Sequence, residues 1–177
     1  YLGEADAYAV GEAAAIDRAA LDAIEPGGVL DITHMGCING LIDAVGAPAR
    51  AAAEIMRAVS QRNAHGVRAV CAAAGISGAP VERLCRAVGL YGPLRENLPA
   101  LAELSVNAAT ERAVGELTEL AGVLDAFGAL EGVNLDLAIA GDGDYYDGVV
   151  FKGYVPGVPS AVLSGGRYDK VLERLGK

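Results

Sequence analysis

Reactive side chains concentrate in one stretch, Gly141–Asp169, with the sequence GDGDYYDGVVFKGYVPGVPSAVLSGGRYD. Gly141, Gly143 and Gly148 let the backbone approach a bound molecule closely. Tyr145 and Tyr146 are adjacent, so on an extended chain they face opposite sides: one can fill a core while the other offers ring and hydroxyl to a pocket. Gly165, Gly166 and Arg167 stand where a strand is expected to pass into a helix. That arrangement would present backbone N–H groups and a guanidinium to an anion. The same residues would serve equally as two glycine-rich strand ends with a tyrosine filling the sheet, and the residues alone do not choose.

Other chemistries fail on residue type or spacing. Asp142, Asp144 and Asp147 suggest a calcium loop, but its fifth and twelfth positions would be Tyr146 and Gly153, which supply neither the side-chain oxygen nor the glutamate required. His34 and His65 are the only histidines, and no serine or cysteine sits in a nucleophile turn, so a histidine-based triad is not expected. Asp31 and His34 flank a strand-to-helix turn, where local hydrogen bonding is their expected role. Cys37, Cys71 and Cys85 are odd in number and lack paired spacing. That argues against disulfides and zinc, and for buried thiols on helices in a reducing cytosol.

These residues need elements to position them. Alanine-rich sequence from about Ala5 to Ile24 predicts a helix with Ile16, Leu21 and Ile24 on one face, ended by Pro26-Gly27-Gly28. Val29–Thr33 suits a strand, followed by a short helix with a glycine stop at Gly46. Pro48 is placed to open the next helix. From Pro48 to about Phe127 every segment reads as helix, with Asn63 as a cap and Tyr91-Gly92-Pro93 as a break. Strict alternation over Val133–Ile139 predicts a half-buried strand. Residues 149–155 and 160–163 flank Pro156–Pro159 as a hairpin with a loop of about four residues, before a closing helix with Tyr168, Val171, Leu172 and Leu175. The expected class is α+β, divided into residues 1–47 as the first part of the core, 48–130 as a helical insertion, and 131–177 as the core hairpin and motif segment.

Charge and composition narrow the partners. With 53% hydrophobic and 21% charged residues the chain is of ordinary globular composition. A net charge of −9 argues against general affinity for nucleic acid, which needs clustered Lys and Arg. No apolar run reaches the roughly 18 residues of a membrane helix and no secretory signal pattern is visible, so the expectation is a cytoplasmic protein without a membrane partner. The chain opens at Tyr1 without a cap and is read as a segment of a longer protein.

Asp144–Phe151 (DYYDGVVF) followed by Ser164–Asp169 (SGGRYD) resembles the two histidine-specific motifs of the histidyl-tRNA synthetase family. Leu30–Gly36 (LDITHMG) and Arg62–His65 (RNAH) are similar to its non-synthetase branch, the regulatory subunits of ATP phosphoribosyltransferase. The resemblance implies a class II synthetase-like antiparallel sheet with flanking helices and an all-helical insertion, present here as a partial core. It implies a histidine pocket with Tyr145 and Tyr146 matching the tyrosine pair that contacts histidine, and Gly165, Gly166 and Arg167 lining the same pocket.

The departures bear on activity. Synthetases of this family carry an arginine in an R-G-L-D-Y-Y pattern, and the matching position here is Gly141, with Asp142 beside it. A glycine cannot supply a guanidinium to a carboxylate or α-phosphate, and Asp142 would repel both. The family's class II motifs have no counterpart within the chain, and the resemblance puts them before Tyr1 and after Lys177. Implied partners are therefore histidine, the catalytic subunit of ATP phosphoribosyltransferase and further copies in a homo-oligomer, with no catalytic residue and no cofactor in this segment. The alternative is a divergent histidyl-tRNA synthetase, an enzyme using ATP, magnesium and tRNA.

Overall fold

The computed structural model describes residues 6–142 and 146–168. Helix α1 (Ala7–Ile24) starts where the Asp6 side chain accepts the Ala9 amide at 2.8 Å. It buries Ala9, Gly11, Ala14, Arg18 and Leu21, while Ile16 and Ile24 are 63% and 62% exposed. The expected face is thus wrong except for Leu21. Small residues decide it: a Cβ on Gly11 would collide with Val123 of α7 (Ala108–Ala126), so a bare backbone is needed for the two helices to close.

Strand β1 (Val29–His34) runs directly into α2 (Met35–Val45), with His34 as the cap: its Nδ1 accepts the Gly36 amide at 3.0 Å. Gly46 ends α2 in the left-handed region, and Pro48 precedes α3 (Ala49–Ser60). Asn63 caps α4 (Ala64–Ala73), and Pro80 lies in the first turn of α5 (Ala79–Val88). The stretch expected to be helical throughout then contains a strand. Tyr91–Pro93 forms β2, at the sheet edge where a proline without an N–H is tolerated. Helices α6 (Leu94–Glu103) and α7 follow, the latter opened by a reciprocal cap between Asn107 and Thr110.

Strand β3 is shorter than its alternation suggests, Val133–Asp136, and passes into a 3-10 helix, Leu137–Asp142. Asp136 makes the change: its Oδ1 accepts the Ala138 amide at 3.0 Å, turning the chain out of the ladder. The hairpin forms, but with a different second strand. Strand β4 (Val149–Tyr154) pairs with β5 (Leu163–Gly166), and residues 155–162 connect them. Pro156, Pro159 and Gly157 (φ 80°) hold that connection off the ladder. Of the closing helix expected to hold Tyr168, Val171, Leu172 and Leu175, Tyr168 is described and is not helical, and the rest lies outside the described residues.

The five-stranded sheet has the order β2-β3-β1-β4-β5. Its pairings are antiparallel except β1 with β3, which is parallel. Leu30, Ile32, Val133 and Leu135 point into the core with Leu21, Ile38, Leu117 and Leu120. Opposite them the register aligns Tyr91 with Asp136, Asp31 with both Asn134 and Lys152, and Val29 with Tyr154. One face is thus hydrocarbon under helices, and the other is polar.

Candidate functional site

Tyr146 stands three residues before β4 and is buried. Its ring lies over Gly166 of β5: a Cβ there would stand 2.5 Å from Cδ1 of the tyrosine and 2.8 Å from the Val149 carbonyl oxygen. Gly166 is therefore a space requirement. Gly165 and Gly166 lie in a strand, so the expected passage from strand into helix at Gly165-Gly166-Arg167 is not what positions their backbone. The two glycines are paired with Phe151 and Val150, and the Arg167 amide donates to the Val149 carbonyl at 3.0 Å. The Gly165 and Arg167 N–H groups thus face β4, whereas Gly166, in the intervening pair of this edge strand, turns its N–H away from β4.

The Tyr146 hydroxyl lies 3.0 Å from that of Tyr168, with ring centroids 4.8 Å apart and planes at 52°. This tilted pair is held by the short closure in which the Asp147 amide donates to the Arg167 carbonyl. Strand alternation sends Gly166 and Tyr146 to the polar face, beside Val150 and Thr33, whereas Gly165 shares the helix-covered face with Phe151 and Ile32. Arg167 lines a cavity of about 240 Å³ with Val10 of α1, Glu116 and Glu119 of α7, and Val149. Of the residues singled out in the sequence, the fold joins Tyr146 to Gly166 and puts Gly165 and Arg167 on the other side of β5. Tyr145 lies outside the described residues.

Sequence reasoning missed Tyr168 as the partner of Tyr146 and Glu116 as a neighbour of the cavity. Glu116 Oε2 lies 2.9 Å from His34 Nε2, so His34 links the β1–α2 turn to α7 as well as capping α2. It also missed the polar face. Asp31 and Asp136 are only 3% and 2% exposed, on neighbouring strands. The Asn134 amide donates to Asp31, and Arg62 donates to Asp136 through both Nε and Nη2. Burial, with Asp136 adding to it, pushes the Asp31 carboxyl up to about 6 against the hydrogen bond from Asn134 and the attraction of Arg62. The hydrogen bond to Asp136 raises Arg62, and burial lowers Lys152. The signal was present as alternation: Asp31 and Thr33 alternate with Leu30 and Ile32, and Asn134 and Asp136 with Val133 and Leu135.

The cysteines are buried on α2, α4 and α5 as expected, and burial pushes Cys37 up to about 12. Among the described residues no helix is long and apolar enough to cross a membrane.

A class II synthetase-like core with a tyrosine–glycine turn is the class that fold and site define. The histidyl-tRNA synthetase family model matches residues 1–177, and the chain belongs to that family. It is 36% identical over 148 residues to the ATP phosphoribosyltransferase regulatory subunit of Symbiobacterium thermophilum, which covers 84% of this chain and 37% of the relative. Among solved structures it is similar to an ATP phosphoribosyltransferase regulatory subunit/histidyl-tRNA synthetase from Bacillus halodurans, at 31% identity and TM-score 0.88, covering 99% of this chain and 46% of that one. An ATP phosphoribosyl transferase (HisG:HisZ) complex from Thermotoga maritima contains the same fold at 16% identity and TM-score 0.61, over 78% of this chain and 47% of that one. The chain thus spans less than half the length of these relatives.

Proposed function

We propose that the chain is part of a regulatory subunit of ATP phosphoribosyltransferase. In this reading it binds histidine beside Tyr146 and helps to convey feedback control of histidine biosynthesis to the catalytic subunit, without activating the amino acid itself. The observation that carries it is one contrast within a single segment. Tyr146 packs on Gly166, joining the two stretches that resemble the histidine motifs, while the resemblance matches Gly141 to the position where synthetases of the family hold an arginine. The relatives named as regulatory subunits support the same assignment.

The chemistry follows from what the segment offers. An imidazole has one ring nitrogen that donates and one that accepts, and a hydroxyl pair such as Tyr146–Tyr168 can meet either. Arg167, with Glu116 and Glu119, offers the charges that suit a zwitterion, although across β5 from the tyrosines. Tyr145 would complete the tyrosine pair, while Gly165 faces the Phe151 ring on the other side of β5. Without the motif arginine, the charge that develops on the α-phosphate during adenylate formation lacks its stabilising cation. The segment therefore needs neither ATP nor magnesium, and the full-length protein is expected to act as a cytoplasmic homo-oligomer.

An exchange assay decides between regulator and enzyme. Full-length protein given histidine, ATP and labelled pyrophosphate should show no histidine-dependent exchange. Robust exchange would mean a divergent synthetase instead.

A further inference from the structure

Arg62 sits at the corner between α3 and α4 with φ 51°, the one non-glycine residue at positive φ among the described residues. A bulky side chain is held in that region only where its surroundings fix it. The fixing contacts lie across the fold. Nε donates to Asp136 Oδ1 at 3.2 Å, Nη2 donates to Oδ2, and the guanidinium lies 4.5 Å from the centroid of the Tyr91 ring. Asp136 Oδ1 is also the acceptor for the Ala138 amide, at the point where β3 becomes the 3-10 helix Leu137–Asp142. One carboxylate is therefore gripped by the α3–α4 corner and grips the first turn of the segment leading to Tyr146.

We infer that Arg62 is a positioning residue: by clamping Asp136 it fixes the turn from β3 into the 3-10 helix Leu137–Asp142, which precedes the tyrosine motif in the chain. It thereby sets the geometry of the histidine site from outside it. The ligand part of this inference rests on the function proposed above, whereas the clamp is readable without any ligand.

The clamp has a pH signature because of what surrounds it. Asp136 on β3 faces Arg62 from the corner, Tyr91 on β2, Asp31 on β1, and Lys152 and Tyr154 on β4. With the guanidinium gone, Asp31 and Asp136 become two buried carboxylates on adjacent strands, and both cannot remain ionised at little cost. Lys152, opposite Asp31 in register, is itself disfavoured as a cation by burial. At alkaline pH the repulsion displaces Asp136 from Ala138. Proton uptake at lower pH relieves it.

The test uses full-length protein as wild type, Arg62→Met and Arg62→Lys, with amide hydrogen exchange over residues 137–142, corrected for intrinsic rate, at pH 6 and pH 8. Histidine titrations are run in parallel. Arg62→Met should lose about tenfold protection over 137–142 at pH 8 and much less at pH 6, with histidine affinity falling about tenfold at pH 8 and its ratio to wild type narrowing as pH falls. Arg62→Lys should remove the pH dependence while recovering only part of the affinity, since it keeps the charge and loses the fork. Unchanged protection in a folded Arg62→Met protein overturns the clamp, as does a loss that is equal at both pH values or spread evenly over the chain. If Arg62→Met does not fold, wild-type protection over 137–142 in Arg62→Lys overturns it, and a local loss there upholds it. Local, pH-dependent loss without histidine binding by wild type would uphold the clamp and refute the regulatory function. Histidine binding with a neutral Arg62→Met would do the reverse.

Discussion

A methyl group on Gly166 has no room between the Tyr146 ring and the Val149 carbonyl. Gly166→Ala should therefore push Tyr146 off β5, costing about 1–3 kcal/mol in denaturant unfolding and abolishing histidine binding. Tyr146→Phe, which keeps the ring and loses the contact to Tyr168, should cost about 1 kcal/mol or less in stability yet still weaken histidine. Asp31 gives a pH test at the same scale. Its folded value, about 6, lies above its ordinary 3.8, so the folded state holds a proton that the unfolded state releases. Its contribution therefore favours folding at acid pH, weakens as pH rises from about 4 to 6, and stays unfavourable above that. Asp31→Asn should raise stability at pH 7.5 relative to wild type, with the difference disappearing near pH 4. A difference that grew on acidification would contradict the burial argument.

At the scale of elements, caps and stops were legible because they depend on a few neighbouring atoms. Asn63, Pro48 and Gly46 do what their types suggest, as does Gly128 at φ 67° after α7. What was not legible depended on a neighbouring element. The buried face of α1 follows α7 and its Val123, not the isoleucines. The length of β3 follows one side-chain hydrogen bond from Asp136 to the backbone. The second hairpin strand lies through Ser164-Gly165-Gly166, where low strand propensity is overridden by pairing with β4 and by the space Tyr146 needs. Of the site itself, the Tyr146–Gly166 contact joins two stretches singled out in the sequence. The split of Gly165 and Arg167 from the tyrosines appears only once strand register is fixed. The cap of α7 offers an element-level test. Asn107 accepts the Thr110 amide and donates to the Gly40 carbonyl of α2 at 3.0 Å. Asn107→Ala should cost about 1–2 kcal/mol, more than an isolated cap, read from thermal or denaturant unfolding.

Across the whole molecule, the fold separates a hydrocarbon face from a polar one. Helices α1 and α7 cover the first; on the second, Arg62 meets Asp136 beside Asp31, and Tyr146 packs on Gly166 at the other edge of the sheet. In that arrangement the α3–α4 corner reaches the end of β3 through Arg62. The regulatory reading makes histidine the ligand of this arrangement and denies it the chemistry of activation. Calorimetric titration of full-length protein with histidine tests it most directly. The account predicts saturable one-site binding, with no requirement for ATP, that is lost in Gly166→Ala. Absence of binding to a folded wild-type protein, or binding that Gly166→Ala leaves intact, would contradict it.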